Sequence, residues 1–344
     1  MKYLFIFLIT VLGCGLVSCS KGGNTPPADV APTNLVINAV VSTDLSGNVE
    51  FTATATGAAT YEFDYGNGVF AIVPTGKVTY KYPATGVYTV KVLAKSAGGK
   101  ITSGTKEVSV TVNQSLIWSD EFDNNGAPDA SKWGYDIGTG SGGWGNNEVQ
   151  YYTNRLDNAI VSNGTLKIIA KKEAFSGSAY TSARLLSRGK FSFQYGKVEV
   201  RAKIPTGVGT WPAVWMLGDN IGTAGWPACG EIDIMEHKGS DLNKIFGTLH
   251  FPGNSGGNAR GGTTNNPTAT TAFHRYFVEW NASSIKFWID DNPPFFTFAN
   301  NSNIPFNHKF FLLLNLAMGG TFGGSVDPNF SNATLEIDYV RVYQ

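Results

Sequence analysis

The 344-residue chain has few cysteines, few charged side chains and no excess of either sign of charge. Three cysteines are too few for the dense disulfide framework that staples small secreted domains. Charged residues make up 15% of the chain, below the roughly 25% of an average globular protein. The 26 basic and 26 acidic residues cancel, so we expect no nucleic-acid partner and no heavily sulfated substrate. A neutral partner fits this composition best.

The sequence also has no amphipathic helix pattern of useful length. Apolar residues amount to 42% and aromatic residues to 13%, which is enough for sizeable cores. The 41 glycines, with Asn, Thr and Ser, divide the chain into short apolar runs, a pattern typical of all-β proteins with many turns. This pattern excludes helical bundles and coiled coils, and the length predicts two domains.

The N-terminus has the features of an export signal. A basic start, an apolar stretch and a small-residue cleavage site predict a signal peptide over residues 1–18, and the stretch is too short for a spanning helix. The residues LVSC resemble a bacterial lipobox. This resemblance implies that Cys19 is lipidated and anchors the exported protein to a bacterial membrane, at the outer membrane or cell surface. Ordinary cleavage, with Cys19 a bystander, is the alternative.

A polar tether over residues 19–33 follows the signal. Once Cys14 is removed and Cys19 is acylated, Cys229 is the only free thiol, so no intramolecular disulfide is expected. We interpret Cys229 as a small buried residue in front of a strand, with a nucleophilic role as the weaker reading.

Short alternating strands separated by turn residues predict a β-sandwich over residues 34–113. Two segments, YEFDYGNG (61–68) and YKYPATGVYTV (80–90), resemble the polycystic-kidney-disease (PKD) domain, an immunoglobulin-like sandwich. The resemblance implies a spacer or a module that contacts protein or glycan, with no catalytic part. We favour the spacer.

Residues 115–344 predict a second, larger β domain. In KVEVRAKI (197–204), Val198, Val200 and Ala202 alternate with charged residues and therefore share one packed face of a strand. Several other segments alternate in the same way, so two packed sheets are the simplest arrangement. We predict a β-jelly roll of the concanavalin A-like class.

The segment GEIDIMEH (230–237) puts three carboxylates on an otherwise apolar strand. Glu231 and Asp233 share a face by the two-residue period of a strand. Glu236 returns to that face only if one extra residue, most naturally Met235, forms a β-bulge. The spacing therefore predicts a bulged strand with three acids on one face.

Three clustered acids repel one another, which raises at least one pKa and keeps a proton available near neutral pH. Glycoside hydrolysis needs such a pair, one carboxylate to attack or to activate water and one carboxylic acid to protonate the leaving oxygen. A solvated acidic strand and a cation site are the alternatives. Nearby tryptophans among Asn, Gln and Glu favour catalysis on sugars, because flat rings suit the apolar faces of pyranoses.

Four segments together resemble glycoside hydrolase family 16 of the laminarinase type; they are residues 230–236, 211–218, 147–153 and Asp120-Glu121-Phe122. The resemblance implies a retaining endo-glycosidase. It makes Glu231 the nucleophile, Glu236 the general acid/base and Asp233 the residue that orients Glu231. It also implies sugar platforms and further cleft contacts, namely Trp211, Trp215, Trp144, Asn147, Glu148, Arg184 and His250. His237 and His274 we interpret as structural.

We therefore predict an endo-hydrolase that cleaves β-1,3 linkages in a neutral β-glucan such as laminarin, acts as a monomer and needs no cofactor for catalysis. A mixed-linkage β-1,3/1,4-glucan is the alternative substrate, and a non-catalytic glycan-binding lipoprotein is the alternative from another class. The family resemblance also implies a structural Ca²⁺ ion held by Glu121, the backbone of Gly164 and Asp338.

Overall fold

The first domain consists of two sheets, and buried and exposed residues alternate along their strands. The computed structural model describes residues 28–344, so the predicted signal peptide, Cys19 and most of the tether lie outside the described residues. A three-stranded sheet has the order β1-β2-β5, and a four-stranded sheet has the order β4-β3-β6-β7. Phe51, Phe63 and Tyr82 fill the space between them and are fully buried. The strands are β1 (Thr33–Val41), β2 (Asn48–Thr56), β3 (Thr60–Asp64), β4 (Phe70–Val73), β5 (Lys77–Lys81), β6 (Gly86–Lys95) and β7 (Ile101–Val110).

The second domain packs a ten-stranded sheet against a seven-stranded sheet. The larger sheet has the order β10-β13-β12-β24-β15-β20-β21-β22, with β11 on β12 and β8 on β24, and the smaller has the order β19-β18-β17-β16-β23-β14-β9. Its strands are β8 (Leu116–Asp120), β9 (Gly134–Asp136), β10 (Gln150–Tyr152), β11 (Ala159–Ser162), β12 (Thr165–Phe175), β13 (Ser178–Ser182), β14 (Arg184–Leu186), β15 (Gly196–Lys203), β16 (Thr210–Gly218), β17 (Glu231–His237), β18 (Lys244–His250), β19 (Arg260–Asn265), β20 (His274–Trp280), β21 (Ser284–Ile289), β22 (Phe296–Ala299), β23 (Phe310–Met318) and β24 (Asn332–Tyr343).

Helical structure within residues 28–344 is confined to short turns. These are α1 (Ile221–Ala224), α2 (Gly320–Gly323), a 3₁₀ turn (Gly256–Asn258) and an irregular turn (Gly143–Asn147). None of the helices in the described range is long and apolar enough to cross a membrane. The predicted fold class, an immunoglobulin-like sandwich followed by a jelly roll, is confirmed.

The first and last residues of the second domain lie side by side. Ser115, just before β8, and Gln344, just after β24, exchange two backbone hydrogen bonds with N···O distances of 2.6 and 3.0 Å. The last strand of the first domain ends at Val110, so residues 111–115 connect the two domains. Cys229 is a fully buried free thiol in front of β17, and burial raises its pKa to about 11. A thiol that is buried and protonated is a poor nucleophile.

Candidate active site

Strand β17 of the seven-stranded sheet carries three acids, Glu231, Asp233 and Glu236. Its register against β18 shifts between Asp233, which pairs with Thr248, and Glu236, which pairs with Phe246. The bulge predicted from the spacing is therefore present. On the β16 side the residue without a partner is Ile234 rather than Met235, because Met235 pairs with Val214 and Asp233 with Trp215. Ile234 and Met235 both pack into the core.

Two tryptophans and a threonine bind the outer pair of acids. The indole N–H of Trp226 donates to Oε2 of Glu231 over 3.2 Å, and that of Trp211 donates to Oε1 of Glu236 over 3.1 Å. The Thr248 hydroxyl donates to the other oxygen of Glu236 over 3.0 Å. Each carboxylate is thus held in one orientation by donors from neighbouring segments. Trp211, predicted as a sugar platform, thus also binds an acid, and Trp226 and Thr248 are site residues absent from the prediction.

His250 lies between the first two acids. Its Nδ1 accepts a hydrogen bond from the Gly256 backbone N–H over 3.1 Å, which assigns the ring proton to Nε2. Nε2 lies 3.3 Å from Oδ2 of Asp233 and 3.6 Å from Oε1 of Glu231. His250 is therefore placed to direct an N–H towards both carboxylates.

All three acids hold their protons more tightly than free carboxyls do. Asp233 and Glu236 are buried, and the side chain of Glu231 is 16% exposed to the cleft. Burial and the neighbouring Asp233 raise the pKa of Glu231 from its usual 4.5 to about 8. Burial and Glu236 raise the pKa of Asp233, and burial also raises that of Glu236. The cluster therefore loses its protons one at a time and keeps an acid available near neutral pH.

Arg184 on β14 forms one side of the cleft together with two tryptophans. Its guanidinium carbon lies 4.8 Å from the ring centroid of Trp144 and 4.7 Å from that of Trp215. Its Nε lies 3.0 Å from Oδ2 of Asp136 on the adjacent strand β9. The positive charge of Arg184 acts to lower the pKa of Glu231 against the effect of burial. This arrangement brings together three of the predicted cleft residues.

A buried hydrogen-bond network fixes the Trp215 ring. Its indole N–H donates to Oδ1 of Asn315 over 2.7 Å, and the Asn315 amide donates to the Tyr152 hydroxyl over 3.1 Å. Tyr152 in turn donates to Glu148 over 3.1 Å, and Gln150 donates to the same carboxylate over 2.7 Å. Asn315 is absent from the sequence prediction. The available signal was a single amide in the otherwise apolar strand FFLLLNLAM.

The remaining predicted contact, Asn147, lies at the rim. It is exposed at the end of the turn Gly143–Asn147, with a φ of 56°, and Asn146 of the same turn donates to Glu148 over 3.3 Å. On the far side of the acids, the rings of Trp211 and Phe322 lie 5.1 Å apart, and Phe322 contacts Phe246 at the same distance. Aromatic rings therefore lie on both strands that flank β17, Trp211 on β16 and Phe246 on β18.

At the predicted calcium site the backbone brings the three predicted residues near one another, but both acidic side chains are paired with arginines. Strands β12 and β8 both pair with β24 on the side opposite β15, which brings Gly164 and Glu121 towards Asp338. The carboxylate of Glu121 accepts two hydrogen bonds from Arg341, at 3.0 and 2.8 Å, and Asp338 is paired with Arg201. Both predicted side-chain ligands are therefore engaged with arginines.

One group of metal-ligand side chains stands out among the described residues. Glu231, Asp233 and His250 have their ligand atoms within 4.8 Å of one another. These residues belong to the acid cluster itself, so this group is part of the candidate active site.

Comparison with known proteins agrees with this geometry. Residues 146–341 match the model of glycosyl hydrolases family 16, and residues 34–112 match the PKD domain. The beta-glucanase of Rhodothermus marinus is 47% identical over 245 residues, covering 67% of this chain and 85% of the relative. The X-ray structure of the laminarinase from that organism superposes with a TM-score of 0.64 at 47% identity, over 67% of this chain and 98% of the laminarinase. LamA of Z. galactanivorans, solved in complex with laminaritriose and laminaritetraose, has a TM-score of 0.62 at 47% identity, over 67% of this chain and 98% of LamA.

Proposed function

Because the chain belongs to family 16 of the glycosyl hydrolases, we propose that it is an endo-hydrolase of β-1,3 linkages in a neutral glucan such as laminarin. The observation that carries the proposal is the bulged strand β17, which puts Glu231, Asp233 and Glu236 on one face between aromatic walls. The reaction needs no catalytic cofactor, since the two carboxyl groups supply both the nucleophile and the proton.

We assign the two steps of a retaining mechanism to the outer acids. In the first step a carboxylate oxygen of Glu231 bonds to the anomeric carbon, while Glu236 gives its proton to the departing glycosidic oxygen. In the second step Glu236 takes a proton from water, whose oxygen bonds to the anomeric carbon and releases Glu231. Asp233 lies next to Glu231 and limits how far the cluster ionises.

The mechanism needs one ionised and one protonated carboxyl group within the cluster. One negative charge must reside on Glu231, and a proton must remain on Glu236. The Nε2–H of His250, 3.6 Å from Oε1 of Glu231, and the positive charge of Arg184 both favour the Glu231 anion and partly oppose the effect of burial. Repulsion within the cluster then keeps the other carboxyls protonated, so a single charge on Glu231 is the state competent for attack.

Azide rescue tests both assignments in one experiment. With a β-glucoside that has an activated leaving group, Glu231→Ala and azide should give the α-glycosyl azide, because azide replaces the nucleophile directly. Glu236→Ala and azide should give the β-glycosyl azide, because azide replaces the second-step water. The opposite anomers, or no rescue of either variant, would remove these roles.

The substrate is tested by reducing-end release from laminarin, mixed-linkage β-glucan and agarose side by side. Fastest release from laminarin is expected. Faster release from mixed-linkage glucan would keep the mechanism and change the substrate, and no release from any of them would favour a glycan-binding protein.

We also propose that Cys19 carries a lipid that anchors the exported enzyme to a bacterial membrane, and that the enzyme is a monomer. The motif LVSC and the polar tether after it support the anchor. Growth with labelled palmitate should label the wild type and leave Cys19→Ser unlabelled, and equal labelling would contradict the assignment. Sedimentation should give the mass of one chain.

The proposal extends to a structural calcium ion between strands β8 and β12. The approach of Gly164, Glu121 and Asp338 along β24 supports it, and the backbone carbonyls there are suitable oxygen ligands. Such an ion would join the start of the domain to its last strand and would stabilise the fold without taking part in the reaction.

A further inference from the structure

The two domains contact each other through a small set of buried polar groups. The side-chain amide of Asn281, in the turn between β20 and β21, donates to the carbonyl of Thr85 in the first domain over 2.9 Å. The hydroxyl of Tyr195 lies 3.4 Å from the carbonyl of Asn67. Asn67, Asn281 and Tyr195 are each at most 3% exposed. Polar groups buried to this extent need partners, and backbone carbonyls of the first domain are the acceptors for both donors of the second domain.

The orientation of Asn281 is determined by its own turn. Its Oδ1 accepts the backbone N–H groups of Ser283 and Ser284 over 2.9 and 2.8 Å. This assigns the amide nitrogen to the side that faces Thr85. The donor is therefore already positioned before the first domain docks, which lowers the entropic cost of the contact.

The same patch continues to the segment 300–308 of the catalytic domain. Asn300 donates to the backbone carbonyl of Asn281 over 2.7 Å, and Gln194 donates to the carbonyl of Asn307 over 2.8 Å. A Cβ atom placed on Gly68 of the first domain would lie 3.9 Å from Cβ of Asn307. Asn307 of segment 300–308 therefore lies next to Gly68 of the first domain.

The other side of segment 300–308 supports the turn that leads into β17. Nε2 of His308 lies 2.9 Å from the carbonyl of Cys229, and the His308 ring stacks on Phe310 with 5.1 Å between centroids. Gly230 has a φ of 74°, and a Cβ atom there would lie 2.6 Å from the carbonyl of Pro305. The residue that follows Gly230 is Glu231, so segment 300–308 packs against the backbone immediately before Glu231.

We propose that the first domain is docked as a fixed brace that positions Glu231 through segment 300–308, with His308 as the positioning residue. This differs from the free spacer expected from the sequence. An attacking group must be held to a fraction of an ångström, and a displacement of about 1 Å can cost on the order of a hundredfold in rate. The kinetic part of the inference rests on the proposed hydrolase function.

A cross-link tests the docking itself. Gly68→Cys with Asn307→Cys, in the full chain with Cys14→Ser and Cys19→Ser, should oxidise to a disulfide, because a Cβ–Cβ distance of 3.9 Å lies within the disulfide range. The matched control is Gly99→Cys with Asn307→Cys. Gly99 has a similar positive φ, 88° against 83°, and lies beyond the far end of β6. Equal disulfide yield from the two pairs would overturn the docking.

Kinetics test the brace. Asn281→Asp keeps the Oδ1 that caps the turn and turns a carboxylate oxygen towards the Thr85 carbonyl, which repels it. We expect kcat on laminarin to fall about 3–10-fold with KM within twofold, and the Gly68–Asn307 cross-link to restore it. Asn292→Asp, which loses an amide-to-carbonyl bond of 3.0 Å in a distant exposed turn, is the control.

His308→Ala should lower kcat by a similar factor at unchanged KM, with an unchanged disulfide yield. Full activity of both Asn281→Asp and His308→Ala would contradict the brace even if the disulfide forms. If the wild type released no sugar, the proposed function would fail, whereas the disulfide yield would still report on docking.

Discussion

The indole N–H of Trp211 donates a hydrogen bond to Oε1 of Glu236, and the Thr248 hydroxyl binds the other oxygen of the same carboxyl group. Both bonds favour the charged form, so they oppose the burial that raises the pKa of Glu236. The two donors therefore lower the pKa at which Glu236, the proposed general acid, loses its proton.

Thr248→Val should move the alkaline limb of the kcat/KM profile to higher pH by about 0.5–1 unit, since it removes one donor to the carboxylate. The pKa of Glu236 then rises, and the acid stays protonated at higher pH. Profiles measured on laminarin with wild type, Thr248→Val and the exposed control Thr263→Val decide the point. A limb that stays in place or moves down would mean that Thr248 does not influence the acid.

Glu231→Gln should stabilise the protein at neutral and alkaline pH. The raised pKa of Glu231 means that the unfolded chain ionises near pH 4.5 and the folded chain only near 8. The contribution of Glu231 to the free energy of unfolding is complete below pH 4.5 and is lost as the pH rises through 8. A glutamine does not ionise, so its contribution does not change with pH. We expect a gain of roughly 1–3 kcal/mol at pH 8, or about 3–8 °C in Tm, and none at pH 4.

Melting curves from pH 4 to 8 measure this gain, with Glu279→Gln on β20 of the ten-stranded sheet as the control. A gain of equal size at all pH values would show that ionisation of Glu231 is not its source. Activity of Glu231→Gln should fall at least about a thousandfold in the same samples.

Arg184→Lys should lower kcat/KM by about 10–100-fold. A lysine keeps the charge but loses the planar group that lies between Trp144 and Trp215, together with the fixed geometry towards Asp136. Arg275→Lys, whose guanidinium pairs with the exposed Asp291, should act like wild type. A kcat/KM within twofold of wild type would show that the guanidinium of Arg184 contributes little to substrate binding or catalysis.

Chelation should lower the Tm by several degrees if calcium joins β8, β12 and β24 as proposed. A ligand that binds only the folded state stabilises it by mass action, so excess Ca²⁺ should restore the Tm, and Mg²⁺ at the same concentration should not. An unchanged Tm after exhaustive chelation would leave the arginine pairs of Glu121 and Asp338 as the full account of this region.

Local sequence patterns predicted the strands and the acid face because both depend on residues close together in the chain. Alternation identified strands such as β15, and the spacing of Glu231, Asp233 and Glu236 required the bulge that the register shows. Contacts between distant segments were not predictable in this way. Asn315 reaches Trp215 only because β23 pairs with β16, and that strand order is a property of the whole sheet.

The same limit applies to the tryptophans. The sequence places tryptophans such as Trp211 near the acids, but a ring beside a carboxylate can stack on a sugar or donate its N–H, and the choice depends on its rotamer. The structure uses the indole N–H groups of Trp211 and Trp226 as donors to the acids.

The backbone hydrogen bonds between Ser115 and Gln344 bring the two ends of the second domain together. A domain whose ends meet can be joined to other modules at one point without separating its strands. A short peptide between these two residues, with new termini opened in an exposed turn such as that at Gly177, should therefore give a circularly permuted enzyme that keeps its cleft.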